Sequence, residues 1–223
     1  KNGPKTKLKP FEMALNKEVA ALAVKIKYED PAQQDPKPPV TETERVWYDD
    51  TFPAGAGAAS SAGKPEFVSE PATSGEKSVK VKGKEMAQVY YQEGAADQIV
   101  PANGKFFAHV YNDPGNPVEE IKIQFKTANW SHRAIWGKDK IDWGKKGTGE
   151  RFPAGDLPES GKWVKLEFDA KSVGLKPGTK VKGLAFTVWG GTAYFDKMGV
   201  VARIDPTTDP AQSLTAWKKS LPK

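Results

Sequence analysis

Residues 129–136 read Asn-Trp-Ser-His-Arg-Ala-Ile-Trp, so Trp130 and Trp136 sit beside His132 and Arg133, and Trp143 follows just ahead of a glycine. These residue types suit sugar recognition. A pyranose presents an apolar face of C–H groups that can lie on an indole, while imidazole and guanidinium groups bond its hydroxyls. The surroundings are basic: residues 126–151 carry seven Lys and Arg against three Asp and Glu. Lys138, Lys140, Lys145 and Lys146, together with the two-pronged Arg133, favour a uronate or sulfated polysaccharide over a neutral glucan. Core or rim packing is the competing role for any single tryptophan. On that test Trp163 and Trp189, in strand-like runs, read as structural. Trp136 and Trp143, among Gly, Lys and Asp, are harder to bury and read as stacking platforms.

Other chemistries find less material. The 223 residues include no Cys, which excludes a disulfide scaffold, a thiolate zinc site, a Cys nucleophile and c-type haem attachment within this segment. The histidines are His109 and His132, and no zinc-protease, serine-hydrolase or phosphate-loop pattern occurs. Glu119-Glu120 and Asp49-Asp50 are adjacent, so on a strand they point to opposite faces, whereas a glycosidase needs two carboxylates about 5–10 Å apart across one sugar. A polysaccharide-active enzyme using His132, Arg133 and a remote carboxylate is the catalytic alternative.

The chain has 34 Lys and Arg against 28 Asp and Glu, yet residues 1–45, 46–202 and 203–223 each carry a net +2. No polycationic arm exists, so nucleic acid is not the expected partner. No apolar run approaches the roughly 20 residues that span a bilayer, and no membrane span is expected in this segment.

The elements that must position these residues are strands. Ile121, Ile123 and Phe125 alternate with Lys122, Gln124 and Lys126, and Val164, Leu166 and Phe168 alternate with Lys165, Glu167 and Asp169, each giving one buried and one wet face. Residues 184–189 read as a central strand, with further strands at 45–49, 78–81, 87–91, 106–111 and 193–201. Turns fall at Asn103-Gly104, Asp113-Pro114-Gly115, Pro177-Gly178 and Gly190-Gly191. Residues 54–63 read as a flexible loop, and 137–159 as a long loop that carries binding residues. Leu15, Val19, Leu22 and Ile26 make a helical stripe within 11–28, followed by a proline-rich connector. Leu214, Trp217 and Leu221 make another within 210–221, after Asp209-Pro210. The expected fold is therefore all-β: an antiparallel β-sandwich of jelly-roll type with short flanking helices at both termini. Its boundaries are a helix and connector at 1–45, the sandwich at 46–203 and a helical connector at 204–223.

Three stretches, GKWVKLEFDA, VGLKPGTKVKGLAF and GGTAYFDKMGV, follow one another within residues 161–200, and VWYDD opens the sandwich at 46–50. In that order they resemble carbohydrate-binding-module-like jelly rolls. Residues 209–220 are similar to a connector in large planctomycetal secreted proteins that join such a module to a c-type cytochrome domain. The resemblance implies a non-catalytic module of an exported (periplasmic or secreted) multidomain protein, with neighbouring domains and a polysaccharide as partners. A structural or docking domain without a ligand of its own is the main alternative. In such modules the first and last strands are neighbours and often hold a structural Ca²⁺, which here would fall to Asp49, Asp50 and Asp196. Those aspartates would otherwise cap turns or pair with Lys197 or Arg45. The expected sugar-binding residues are Trp130, His132, Arg133, Trp136 and Trp143.

Overall fold

The computed structural model describes residues 41–204 and Lys218. In chain order the described strands are β1 Thr41–Tyr48, β2 Ala59–Ser60, β3 Glu66–Val68, β4 Ser78–Lys82, β5 Met86–Tyr91, β6 Gln98–Ile99 and β7 Lys105–Asn112. They continue with β8 Glu120–Lys126, β9 His132–Gly137, β10 Phe152–Gly155, β11 Trp163–Asp169, β12 Lys180–Val181, β13 Gly183–Trp189 and β14 Thr192–Ile204. One sheet runs β11-β7-β14-β4-β3, with β1 also paired to β14; the other runs β10-β9-β8-β13-β5-β2. Nearly all pairs are antiparallel, with β10 on β9 the parallel exception. The chain folds as an antiparallel β-sandwich of jelly-roll type.

Alternation decides which side chains meet between the sheets. In β5, Ala87, Val89 and Tyr91 are buried while Met86, Gln88 and Tyr90 are half-buried on the other face. Aromatic pairs then join the layers: Phe186 of β13 stacks on Phe195 of β14 at 4.6 Å, and Phe106 of β7 on Phe125 of β8 at 4.4 Å. Trp47 and Tyr48 of β1 are both buried, because a register shift between Val46 and Tyr48 turns successive side chains inward. Tyr48 also donates its hydroxyl to the Phe195 carbonyl at 3.2 Å.

Every strand expected from the alternation is present. Several expectations change. Residues 54–63, read as a flexible loop, include β2; residues 137–159, read as a long loop, include β10; and β1 starts at Thr41, ahead of the expected boundary at 46. His132–Gly137, read as loop at its start, is strand β9, paired to β8 along its length. The wet face expected for β8 is not wet: Glu120 and Lys122 are fully buried and Gln124 is 2% exposed, because the segment after β9 folds back over them. The helices expected within 11–28 and 210–221 lie outside the described residues.

Phe186 touches Phe195, Tyr48 and Phe52, so Phe186→Ala is expected to cost about 3–5 kcal/mol of unfolding free energy in urea denaturation. Val46→Ala, at a side chain 45% exposed, should stay within about 0.5 kcal/mol of the parent.

Candidate functional site

The outward face of the second sheet is built in rows. Arg133 of β9 lies opposite Gln124 of β8, which lies opposite Ala185 of β13 and then Tyr90 of β5. The next row is Ile135, Lys122, Thr187 and Gln88. Gln88, Tyr90, Gln124 and Arg133 of these rows line a depression. The result is a cleft of about 380 Å³ with Gln88, Gln124 and Arg133 on its floor, Tyr90 and Gln92 on one side, and Trp130 and Trp143 as half-buried walls. Tyr90 meets Trp130 edge to face at 6.1 Å and props it from below.

Each wall is held by a different device. Trp130 comes from the short β8–β9 connection. Trp143 comes from the long segment after β9, and that segment is tied down repeatedly. Glu120 accepts from the Lys140 and Ile141 amides, Lys122 donates to the Ile141 carbonyl at 2.8 Å, and the two side chains face each other at 3.3 Å. Burial pushes the Lys122 pKa below its ordinary value, and the Glu120 carboxylate opposes that shift. The Lys122 ammonium lies 5.5 Å from the centre of the Trp143 ring, within cation–π range. Further along, Asp139 takes Arg151 at 2.8 Å and Lys146 at 3.1 Å, and the Gly149 and Glu150 carbonyls accept from the Arg133 amide and guanidinium at 3.0 Å each. Gly144 adopts φ +81°, and a Cβ there would sit 2.7 Å from Glu150 Cβ and 3.0 Å from the Arg133 guanidinium. Only glycine lets the segment turn so close to that side chain.

Arg133 is the chemical centre of the floor. Its Nε donates to Gln124 Oε1 at 2.9 Å and one terminal nitrogen to the Glu150 carbonyl at 3.0 Å. The remaining N–H bonds have no partner among the described residues, and no carboxylate there makes an ion pair with it. Burial lowers its pKa, but guanidinium starts so high that it stays a cation at neutral pH. Around it the basic window is largely neutralised. Lys138 and Lys140 pair with Glu119, Lys146 with Asp139 and Lys126 with Glu93.

Of the expected sugar-binding residues, Trp130, Arg133 and Trp143 converge on the cleft. Trp136 and His132 do not. Trp136 is 4% exposed and packs edge to face on Phe168 at 5.6 Å in the core, since it stands opposite Ile121 on the inward face. His132, opposite Phe125, also faces away; its ring nitrogens meet the Val173 carbonyl at 2.8 Å and Thr127 Oγ1 at 3.2 Å. The residues missed were Gln88, Tyr90, Gln92 and Gln124. Their signal was present in the alternation of β5 and β8, whose non-core face was read only as solvated.

A larger groove of about 830 Å³ crosses the outer face of the first sheet. Its charges satisfy one another, with Glu42 on Arg203, Lys105 on Glu167 and Lys165 on Glu44, so it offers a ligand little that is unpaired.

The three aspartates weighed for calcium do come together, but as caps. Asp196, fully buried on β14, accepts from the Thr73 and Ser74 amides at 2.7 and 2.9 Å and from the Lys197 amide at 2.8 Å. Asp50 takes the Glu76 and Lys77 amides, and Asp49 the Ser74 hydroxyl. Each of the three carboxylates thus accepts from at least one donor, the arrangement of a turn cap. No cluster of three or more metal-ligating side chains stands among the described residues. Burial raises the Asp196 pKa above the ordinary carboxylate value, against its three amide donors.

No protein-family model matches the chain, and no curated protein does either. Solved structures that it resembles include carbohydrate-binding modules and a glycoside hydrolase domain, Endo-D of Streptococcus pneumoniae R6. One module, from the β-sandwich superfamily, has a TM-score of 0.38 at 13% identity over 74% of this chain, which spans 59% of that structure. A family 29 module gives 0.40 at 10% over 75% of this chain and 97% of its own. The CBM22-1 xylan-binding domain of Paenibacillus barcinonensis Xyn10C gives 0.41 at 12% over 74% and 99%.

Removing one member of a buried ion pair strands the other, which typically costs about 3–5 kcal/mol. Lys122→Met is therefore expected to lower stability by that order and to red-shift Trp143 emission as the wall loosens. Glu120→Gln combined with Lys122→Met should recover part of the loss. A double variant whose loss equals the sum of the losses of Lys122→Met and Glu120→Gln alone would show that the charges are not coupled.

Proposed function

We propose that the domain is a non-catalytic carbohydrate-binding module of an exported multidomain protein, and that its cleft takes an acidic polysaccharide. The observation that carries this reading is the cleft itself: two half-buried indoles face a floor of amide groups and one unpaired guanidinium. Apolar sugar faces suit the walls, and a uronate carboxylate suits the open edge of Arg133. The lining includes no carboxylate, whereas glycoside hydrolysis needs two of them across the scissile bond. Residues 41–204 form the binding unit in this reading, and the chain before and after it connects it to neighbouring domains.

With the window's lysines mostly paired, the preference for acid rests on Arg133 rather than on a broad positive field. Calorimetric titration with acidic and neutral oligosaccharides of equal length tests the proposal. Trp130→Ala and Trp143→Ala are each expected to weaken binding tenfold or more, about 1.4 kcal/mol, while Trp136→Phe leaves the affinity of the folded protein close to the parent. Binding of the acidic sugar should weaken only modestly as salt rises, since one half-buried cation is screened less than a surface patch. Equal affinity in all three variants would place the site elsewhere. Silence toward every sugar would favour a docking domain.

A further inference from the structure

The geometry points to Gln124 and Thr187 as positioning residues that turn the cleft floor into an array of hydrogen-bond donors and so select an acidic glycan over a neutral one. This rests on the reading of the cleft as a glycan site and says how that site discriminates.

The argument starts from a group whose polarity has no alternative. Guanidinium has five N–H donors and no acceptor. Arg133 Nε lies 2.9 Å from the Gln124 side chain, so the atom facing it must be the amide oxygen. That choice turns the amide nitrogen of Gln124 toward Thr187 Oγ1, 2.7 Å away. Gln124 then donates, and the Thr187 oxygen accepts. The Thr187 hydroxyl hydrogen must go elsewhere, and the side chain of Gln88 lies at 3.4 Å to receive it. The atom of Gln88 facing Thr187 is therefore its oxygen, which leaves its NH₂ group for the cleft. A single obligate donor at one side of the sheet thus fixes two amides and one hydroxyl across strands β9, β8, β13 and β5. Gln124 and Thr187 are buried beneath the cleft, so water cannot readily supply a substitute partner and let the relay reverse.

The floor then shows a ligand the free N–H bonds of Arg133 and the NH₂ of Gln88. A carboxylate accepts only, and can use every one of these donors. A neutral sugar hydroxyl can accept from them too, but its own hydrogen must then reach one of the fewer acceptors, the second lone pairs of the Gln88 and Gln124 oxygens or the Tyr90 and Gln92 side chains at the edge, and a donor left unmet in a desolvated site counts against binding. The selectivity comes from the direction of the relay as well as from the charge of Arg133.

Thr187→Val separates the two, because it removes the hydroxyl without changing any charge or much volume. The test is calorimetry of the full chain with tri-galacturonate and with a neutral trisaccharide, alongside nuclear Overhauser measurements of the Gln88 side-chain amide. In the parent, the Gln88 NH₂ protons should show no close contact with Thr187. Thr187→Val is expected to lower the acidic-to-neutral affinity ratio threefold or more, and Thr187→Ser, which keeps the hydroxyl, to restore it. Gln124→Glu should lower the ratio tenfold or more, since the introduced carboxylate pairs with Arg133 and accepts from Thr187, reversing Gln88. Selectivity in Thr187→Val equal to that of the parent, or Gln88 NH₂ protons packed on Thr187, overturns the relay while leaving the glycan reading intact. Absence of binding by the parent to either sugar overturns the glycan reading and the selectivity with it.

Discussion

Glu120 and Lys122 face each other from the same side of β8, both fully out of solvent. Neither charge could remain there alone, since desolvating an ion costs several kcal/mol even after the protein relaxes. Each is accommodated because the segment after β9 brings its own backbone to them: two amides for the carboxylate, one carbonyl for the ammonium. The docking of that segment and the burial of the pair are one event. Trp143 follows Ile141 by two residues, so the wall of the cleft stands only where the pair is closed. A segment that looks like a long surface loop is for this reason a fixed part of the site, with a stacking face whose ordering cost has been met in folding rather than at binding.

The strands were legible because their inward residues alternate cleanly. Ile121, Ile123 and Phe125 declare one face of β8, and Ala87, Val89 and Tyr91 one face of β5. The other face was the difficulty. Lys122 and Gln124 look like solvated positions because polarity in an alternating strand normally means water, and nothing in residues 120–126 announces that residues 138–143 will cover them. The same logic misplaced Trp136 and His132. Residues 129–136 read as one aromatic and basic window, but as strand β9 they divide by parity: Arg133 goes to the outward face, and His132, Ala134 and Trp136 to the inner one. Sequence proximity brought the residues together and the two-residue period of the strand sorted them.

Charge shows the same gap between composition and arrangement. The basic excess of 126–151 is real as a count, yet Glu119, just ahead of β8, pairs with Lys138 and Lys140, Glu93 pairs with Lys126, and Asp139 within the window pairs with Lys146 and Arg151. Glu93 and Glu119 precede the window and could be assigned to it only through the fold. Among the described residues Lys145 and Arg133 make no ion pair, and of the two only Arg133 lines the cleft, half-buried at the end of the polar relay. A single cation in a partly desolvated cleft interacts more strongly with one well-placed carboxylate than several exposed lysines would, because the surrounding medium screens it less.

The two sheets present opposite solutions on their outer faces. On the first, Lys165, Glu44, Glu167 and Lys105 interlock across three strands, and the groove they line is closed to exchange by its own ion pairs. On the second, Gln88, Tyr90, Gln92, Gln124 and Arg133 line a cleft beside two half-buried indoles. Apart from Arg133, that lining carries amides and aromatic rings rather than charges. Amides hydrogen-bonded to one another keep spare donors, whereas paired ions are largely spent. Amides on the floor, one guanidinium at the margin and indoles as walls leave open volume and unmet donors together, and a ligand that supplies acceptors meets both at once.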